Sequence, residues 1–482
     1  MGFFNTYQHK SFFYSGIYIF TKPISYLYLL KDNTVQEEKR LEEQEHQKNF
    51  KQEIDLFIDH IDSLYQTSPM VNMILKVTQM TSQKKRQEYV EEKGIVGKDD
   101  DGNETTRLDF KHLNKYLDLD KKAQNSILAE RLIQRNFIVS LVSQFDAYVG
   151  SLIRKIFILK PELLNGSERN LTFSKLSEYK SIDEAKEYII EKEIESVLRD
   201  SHYNQFKWLE NKLNMTLTKD LPSFSDFIEI TERRNLFVHS NGIVSSQYLS
   251  VCKKHNYSFE TIITTGEEMI VNEKYFTKAY HILFEIGTKL SQVIWRKLLP
   301  SDLENADTSL NKIIYRLLQR KEYKLSINLS DFATTTLKKH GSQETKLVFN
   351  VNKAQSYKWD GQDDKCRKMM TNMDWSAMSD KFKLSKAILL DEYNIVYKLM
   401  RKIGVDYDEM PQEAYKEWPL FNKIRQEEDF KKIYKEIYEE DYEYVKYDDD
   451  YLLKFGIRED KSTTDKNANT QKKYEQGPVK VS

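Results

Sequence analysis

The sequence has few cysteines, and its histidines are scattered. Its two cysteines, Cys252 and Cys366, belong to no CxxC pair, so the chain lacks the pattern of a disulfide framework or a structural zinc site. The nine histidines form neither an HExxH motif nor a His/Asp cluster at ligand spacing. We therefore expect no metal, no cofactor and a reducing, cytoplasmic location.

Glycine and proline are also scarce, at 15 and 8 of 482 residues. Charged residues reach 31%, and lysine, glutamate, leucine and isoleucine are frequent, which is the composition of helices. Such a long chain exceeds one compact core, so two or three domains are expected. The composition predicts an all-α fold, in which the 30 tyrosines and 25 phenylalanines mainly pack between helices.

No excess of either charge sign is present, with 74 basic against 75 acidic residues. A general electrostatic field for nucleic acid is therefore absent, and any RNA contact has to come from a local patch or a dimer groove. We expect no DNA partner.

A long uninterrupted apolar run is missing as well. Ser11–Leu30 is aromatic and long enough to span a membrane, but Lys22 and Pro23 interrupt it. A partly disordered arm over residues 1–40, or a start codon placed too far upstream, is favoured over a membrane anchor. A membrane-linked effector is the corresponding weaker hypothesis.

Helical periodicity is present through most of the chain. Apolar residues at steps of 3 and 4 predict an amphipathic helix around Ile54–Leu64, a second helical stretch to Lys93, and an exposed loop over Gly94–Thr105. The most apolar helix is predicted over Leu132–Phe157. Its stripe comprises Ile133, Phe137, Leu141, Phe145, Val149, Leu152 and Ile156.

Within that helix Asp146 interrupts the apolar pattern. It can orient an active-site residue, cap a neighbouring helix or face water, and the last two are favoured. Arg135-Asn136 is interpreted as structural. Further along, Ile182–Leu213 predicts one or two helices, and Val251–Ile270 contains β-branched runs that allow a small hairpin or an extended arm. Another helix over Tyr275–Leu299 precedes a predicted domain boundary at residues 300–302.

The most informative stretch is TERRNLFVHSNG, Thr231–Gly242. It ends a predicted helix that begins near Ser223 or Ser225, buries Phe224, Ile228 and Thr231, and stops at Asn241-Gly242.

Three polar residues near that helix end can act on a phosphodiester. Asn235 and His239 are four residues apart and share a helix face, while the long side chain of Arg234 can swing toward them. A histidine is the usual general acid or base, and a guanidinium binds phosphate oxygens. The alternative is a polar helix end in contact with solvent. Arg233 can help to hold RNA or can lie on the surface, and the surface interpretation is favoured.

RNLFVH resembles the Arg-polar-x3-His signature of HEPN domains, which include many RNases of bacterial toxin and phage-defence systems. Leu132–Phe157 and the segment TTGEEMIVNEKYFTKAYHILFEIG are similar to the same superfamily, so the resemblance covers roughly residues 45–300. It implies a helical bundle over residues 41–300, a homodimer with a composite site, and metal-independent RNA cleavage that leaves a 2′,3′-cyclic phosphate. Arg234, Asn235 and His239 take the catalytic positions, and no further acidic site residue is matched.

Residues 306–440 predict paired helices. Similar stretches begin at Asn352 and Ser385, and at Lys365 and Lys398, both 33 residues apart. This spacing resembles tetratricopeptide hairpins, which bind protein segments, and an ordinary helical bundle is the alternative. Residues 441–482 are first acidic and then polar, which predicts a disordered tail.

Two hypotheses follow from these patterns. The first is a HEPN-type endoribonuclease of toxin–antitoxin or abortive-infection defence, with RNA as substrate and a protein trigger at residues 306–440. The second is an inactive HEPN scaffold that binds a protein partner through its helical repeats.

Overall fold

The protein is described by a computed structural model over residues 33–98, 104–166, 171–219, 221–406 and 408–443. The fold is all-α: 74% of the described residues are helical and 3% are in strands, and these residues include 16 α-helices. Most of the predicted N-terminal arm and nearly all of the predicted tail lie outside the described residues. From Asn33 onward the chain is already helical.

Two long helices and a β-hairpin form the first part. Helix α1 spans Asn33–Lys93 and α2 spans Phe110–Leu159, so the two helical stretches predicted before Lys93 are one helix of 61 residues. Strands β1 (Gly94–Lys98) and β2 (Glu104–Leu108) connect them as an antiparallel pair. The described residues of the predicted loop over Gly94–Thr105 are exposed for the most part, but they lie in the two strands, because β-branched Val96 and Thr106 pair directly.

The core of this region lies between α1, α2 and α8 (Glu273–Leu298). The ring of Phe57 on α1 stacks on Tyr148 of α2 with centroids 4.3 Å apart. Opposite it, Gly287 of α8 leaves room for that ring, since a Cβ atom there would approach Phe57 Cε1 to 2.4 Å. Most of the predicted α2 stripe is buried, namely Leu141, Phe145, Val149, Leu152 and Ile156. Ile133 and Phe137 are partly exposed.

Serine and asparagine side chains cap the N-termini of several helices around this core. The side chains of Ser181, Ser201 and Ser245 each accept a hydrogen bond from the backbone N–H three residues ahead, as does Asn272 before α8. The elements after α2 are a 3-10 helix (Pro161–Gly166), α3 (Phe173–Leu176), α4 (Ile182–Leu198), α5 (His202–Leu213), α6 (Phe224–His239) and α7 (Ser246–Lys254). In the predicted hairpin region after Val251, the described chain forms only an isolated bridge between Ile243 and Glu268.

Helix α2 contains an apolar window of mean hydropathy 1.2 that is long enough to cross a membrane. Half of that window is buried inside the protein, as in the core helix of a folded domain.

The chain divides into two units. The first comprises Glu45–Ala306 and Ile327–Lys339, and the second comprises Asp307–Ser326 with the described residues from His340 onward. The remaining helices are α9 (Leu303–Gln319), α10 (Tyr323–Asp331), α11 (Gln343–Trp359), α12 (Asp363–Thr371), α13 (Asp380–Leu389), α14 (Tyr393–Ile403), α15 (Gln412–Glu417) and α16 (Glu428–Tyr438). A π-helical turn (Phe332–Thr336) follows α10, and 3-10 turns (Pro419–Phe421 and Ile424–Gln426) precede α16.

Three helical hairpins have the same turn. Lys321, Gly361 and Asp391 adopt left-handed φ values of 61°, 76° and 60° between the paired helices. In each turn the next residue donates its N–H to a carbonyl five residues back, over 2.8–2.9 Å. The turns are 40 and then 30 residues apart, so the 33-residue sequence spacing does not align the hairpins.

Candidate functional site

Helix α6 carries the predicted signature. Its Phe224, Ile228 and Thr231 are buried as the periodicity predicts. Ser223 occupies the N-cap position, but its hydroxyl donates to Glu285 Oε1 over 3.1 Å and makes no cap bond. Packing against the neighbouring helices therefore fixes the start of α6.

The end of α6 is fixed by its turn and by Arg135 from α2. Asn241 and Gly242 have φ values of 49° and 79°, and Gly242 N–H donates to Leu236 O over 2.9 Å. The Arg135 guanidinium donates to Asn241 O over 2.9 Å and to the Glu268 carboxylate. Arg135 is thus structural, as expected, and it holds the turn directly after His239.

Arg234 points from α6 toward α2. Its Nη2 donates to Asp146 Oδ2 over 2.8 Å, and Asp146 Oδ1 accepts from His202 Nε2 of α5 over 2.7 Å. The interpretation of Asp146 as a cap or a solvent-facing residue is wrong. The Asp146 carboxylate on α2 contacts side chains of both α5 and α6, and it orients Arg234.

The guanidinium of Arg234 is only partly engaged. Its side chain is 20% exposed, and its Nε, although buried, has no hydrogen-bond partner in the described part of the chain. An arginine held on one edge, with further N–H groups free, is suited to receive an anion with two oxygens.

Asn235 is partly exposed and His239 is exposed. Neither side chain forms a hydrogen bond with another described residue. A step of four positions points Asn235 and His239 in nearly the same direction from the helix axis. A step of five positions separates Arg234 and His239 by about 140° around that axis. Within one chain, the guanidinium therefore faces Asp146 and the imidazole faces solvent.

Arg233 is buried, so the surface interpretation is wrong. Its Nε donates to Glu229 Oε1 over 2.6 Å, and its guanidinium lies 3.8 Å from the ring centroid of Tyr275. The hydroxyls of Tyr248 and Tyr275 also donate to Glu229, over 2.6 and 2.9 Å.

This closed network shifts the pKa values of its members. Burial opposes the charge on Arg233, but Tyr275, Glu229 and Tyr248 raise its pKa above the ordinary value. Burial, followed by the Glu229 carboxylate, raises the pKa of both Tyr248 and Tyr275. The network fixes α6 against α7 and α8 and leaves Arg234 and His239 at its margin.

Exposed apolar side chains flank the end of α6 in the chain and occur in the segment that is bridged to Ile243. Val238 precedes His239 and is 50% exposed. Ile243 is exposed and pairs with Glu268 in the isolated bridge. Ile270, two residues after Glu268, is also exposed. An apolar surface beside a polar helix end is typical of a contact surface.

The sequence offered Asp146 as an orienting residue without favouring that role, and it did not identify His202. The interruption of the α2 apolar stripe marked Asp146 as unusual, but nothing local marked His202, which follows a capping serine. Residues 33–443, apart from the short segments that are not described, contain no group of three or more His, Cys, Asp or Glu side chains placed to bind a metal.

Comparisons with known proteins do not extend this description. No family model, curated protein or solved structure matches the chain.

Proposed function

We propose that the protein is a metal-independent endoribonuclease of the HEPN type that acts in the cytoplasm in toxin–antitoxin or abortive-infection defence. The main support is the arrangement at the end of α6. Arg234 is held by Asp146 with part of its guanidinium free, while Asn235 and His239 are open to a large substrate.

Each residue has a role in this reaction. The 2′-hydroxyl of the RNA attacks the adjacent phosphorus, the bond to the 5′-oxygen breaks, and a 2′,3′-cyclic phosphate and a 5′-hydroxyl result. His239 transfers the proton, Arg234 stabilises the charge on the non-bridging oxygens, and Asn235 positions one of these groups.

A homodimer fits this proposal. Because Arg234 and His239 point to different sides of α6, one chain does not bring them together on a single phosphate. Two signature helices facing each other can combine an arginine from one chain with a histidine from the other. The exposed Val238, Ile243 and Ile270 offer apolar area for such a contact.

Induced expression in a heterologous host tests the activity. Wild type, Arg234→Ala and His239→Ala are compared for growth and for the integrity of cellular RNA. Arg199→Ala and His60→Ala are the matched controls, since both residues are exposed side chains of the same unit. We expect RNA cleavage in wild type and both controls, its loss in the two site variants, and no effect of EDTA on the purified protein.

The same helical content also supports a second function, an inactive scaffold. The Arg234–Asp146 pair also holds α6 against α2 in the absence of a ligand, and three helical hairpins share one type of turn, which fits a protein-binding array. A scaffold predicts that His239→Ala retains all biological function and that purified wild type leaves RNA intact. Cleavage that depends on His239 would exclude the scaffold.

A further inference from the structure

Helices α1 and α2 continue beyond the core of the first unit as an antiparallel pair, here called the stalk (residues 69–98 and 104–134). Arg86 donates to Asp120 Oδ1 over 2.7 Å, and Tyr89 Oη lies 3.1 Å from His112 Nδ1. No residue of 69–98 is buried, and between 109 and 134 only Ala123 and Ser126 are. Pro69 lies inside α1 where the burial ends.

The inner face of α1 in the stalk is mostly polar. The partly buried positions that follow heptad spacing along it are Asn72, Leu75, Gln79, Ser82, Arg86 and Tyr89. Polar residues at the seam of two helices specify register but contribute little apolar burial.

Five apolar residues of this segment face outward instead. They form the apolar stripe, which comprises Met70, Met73, Ile74, Val77 and Met80, with exposures of 44, 37, 55, 52 and 68%. Residues 70, 73, 77 and 80 repeat at steps of 3 and 4, which is the spacing of a surface that receives another helix. Three of the five are methionines, whose flexible side chains adapt to a partner.

The charged residues in the α1 segment that carries the stripe have one sign. Residues 69–87 contain no Asp or Glu, and their basic residues are Lys76, Lys84, Lys85 and Arg86. Arg86 is bound to Asp120, and Lys84 lies 3.6 Å from Glu88 at the end of the segment. Lys76 and Lys85 have no carboxylate within ion-pair distance among the described residues. A partner of opposite charge is therefore favoured.

We propose that the apolar stripe binds an acidic amphipathic helix of a partner protein. Apolar residues of that helix contact the stripe, and its flanking carboxylates face Lys76 and Lys85. A second copy of this chain fits less well. Lys76 lies near the centre of the stripe, and a two-fold axis there would bring Lys76 of both copies together.

A pair of designed peptides tests the charge and the spacing. Both are helical heptad peptides with leucine at the apolar positions; one has glutamate and the other lysine at the flanking positions. Fluorescence anisotropy measures their binding to the full chain. We expect the glutamate peptide to bind and Val77→Glu to weaken that binding at least about tenfold, because the substitution places a charge in the buried contact.

Leu56→Glu is the matched control, because Leu56 is an exposed apolar residue of the same helix outside the stalk, 52% accessible to solvent. We expect this variant to bind the glutamate peptide like wild type. The double variant Lys76→Glu/Lys85→Glu is expected to reverse the preference in favour of the lysine peptide. Circular dichroism establishes that all variants retain wild-type helix content.

Several results would overturn the proposal. These are no binding of the glutamate peptide, equal binding of both peptides, or binding that Val77→Glu leaves unchanged. A wild-type dimer in sedimentation that Val77→Glu converts to a monomer would assign the stripe to a second copy. Stripe-dependent binding to phosphatidylserine vesicles without peptide binding would assign it to a membrane. None of these results depends on ribonuclease activity.

Discussion

Arg233 and Arg234 are neighbours on helix α6, but they lie on different sides of the helix and in different environments. Arg233 lies in a closed network in which Glu229 accepts from the arginine and from two tyrosine hydroxyls. Arg234, the next residue, has one carboxylate partner, a buried Nε without a hydrogen bond and a 20% exposed side chain. A buried arginine that is paired with a buried carboxylate stabilises the fold, whereas a partly engaged arginine near the surface can still bind a ligand.

The largest expected effect on stability comes from the Arg233 network. Arg233→Ala leaves Glu229, which is 0% exposed, without its cationic partner, so we expect a loss of about 3–5 kcal/mol in the free energy of unfolding. Urea denaturation measures the loss. Arg199→Ala removes an exposed ion pair with Glu195 and is expected to cost less than about 1 kcal/mol. Equal costs for the two variants would show that the closed network is not a stability element.

On the side of α6 that carries Arg234, we expect a substitution to affect activity more than stability. If the proposed function is correct, Arg234→Ala reduces RNA cleavage by about 10²–10³-fold, because it removes a cation from the developing charge. Its free energy of unfolding should change by only about 1 kcal/mol, since the pair with Asp146 is partly exposed. Cleavage assays and urea denaturation on the same preparation separate the two effects. A variant that is fully active but unfolds easily would reverse the assignment.

Tyr275→Phe tests the contribution of one hydrogen bond to the network around Glu229. The substitution removes the hydroxyl that donates to Glu229 Oε2 over 2.9 Å and keeps the ring beneath Arg233. We expect a loss of about 1.5–3 kcal/mol, as for a hydrogen bond to a charged group. Tyr179→Phe is the control, because Tyr179 is a tyrosine of the same unit outside this network. A loss no larger than that of the control would indicate that Tyr248 and Arg233 suffice for Glu229.

The smallest effect concerns a carboxylate held mainly by donors from one loop. Burial opposes the charge on Glu210, but Lys207 and the backbone N–H groups of Leu217 and Thr218 lower its pKa to about 2. The folded pKa lies below the ordinary value of 4.5, so this stabilisation is present above that pH and is lost as the pH falls toward 2. The difference in unfolding free energy between wild type and Glu210→Gln should therefore shrink on acidification, as measured by denaturation at several pH values. A difference that is independent of pH would contradict this account.

Local patterns in the sequence predicted many of the elements around the site. The end of α6 at Asn241-Gly242, the buried face of Phe224, Ile228 and Thr231, and most of the α2 stripe follow from helical periodicity and left-handed turn residues. These features depend on neighbours a few residues apart, and they are therefore readable without the fold.

Other features could not be read in this way. The strand pair after α1 depends on pairing of Val96 with Thr106 between two separate segments, and the repeated hairpins are spaced unevenly because the segments between them differ in length. A sequence match at 33 residues contains no information on which turns are equivalent in space.

The sequence by itself determined the helical class, the signature residues and the helix that presents them. The tertiary structure decided which of two adjacent arginines is buried, and it placed Asp146 against Arg234 across 88 residues of sequence. The reason is physical. Helix formation and capping depend on local spacing, whereas burial and ion pairing depend on which helices pack together.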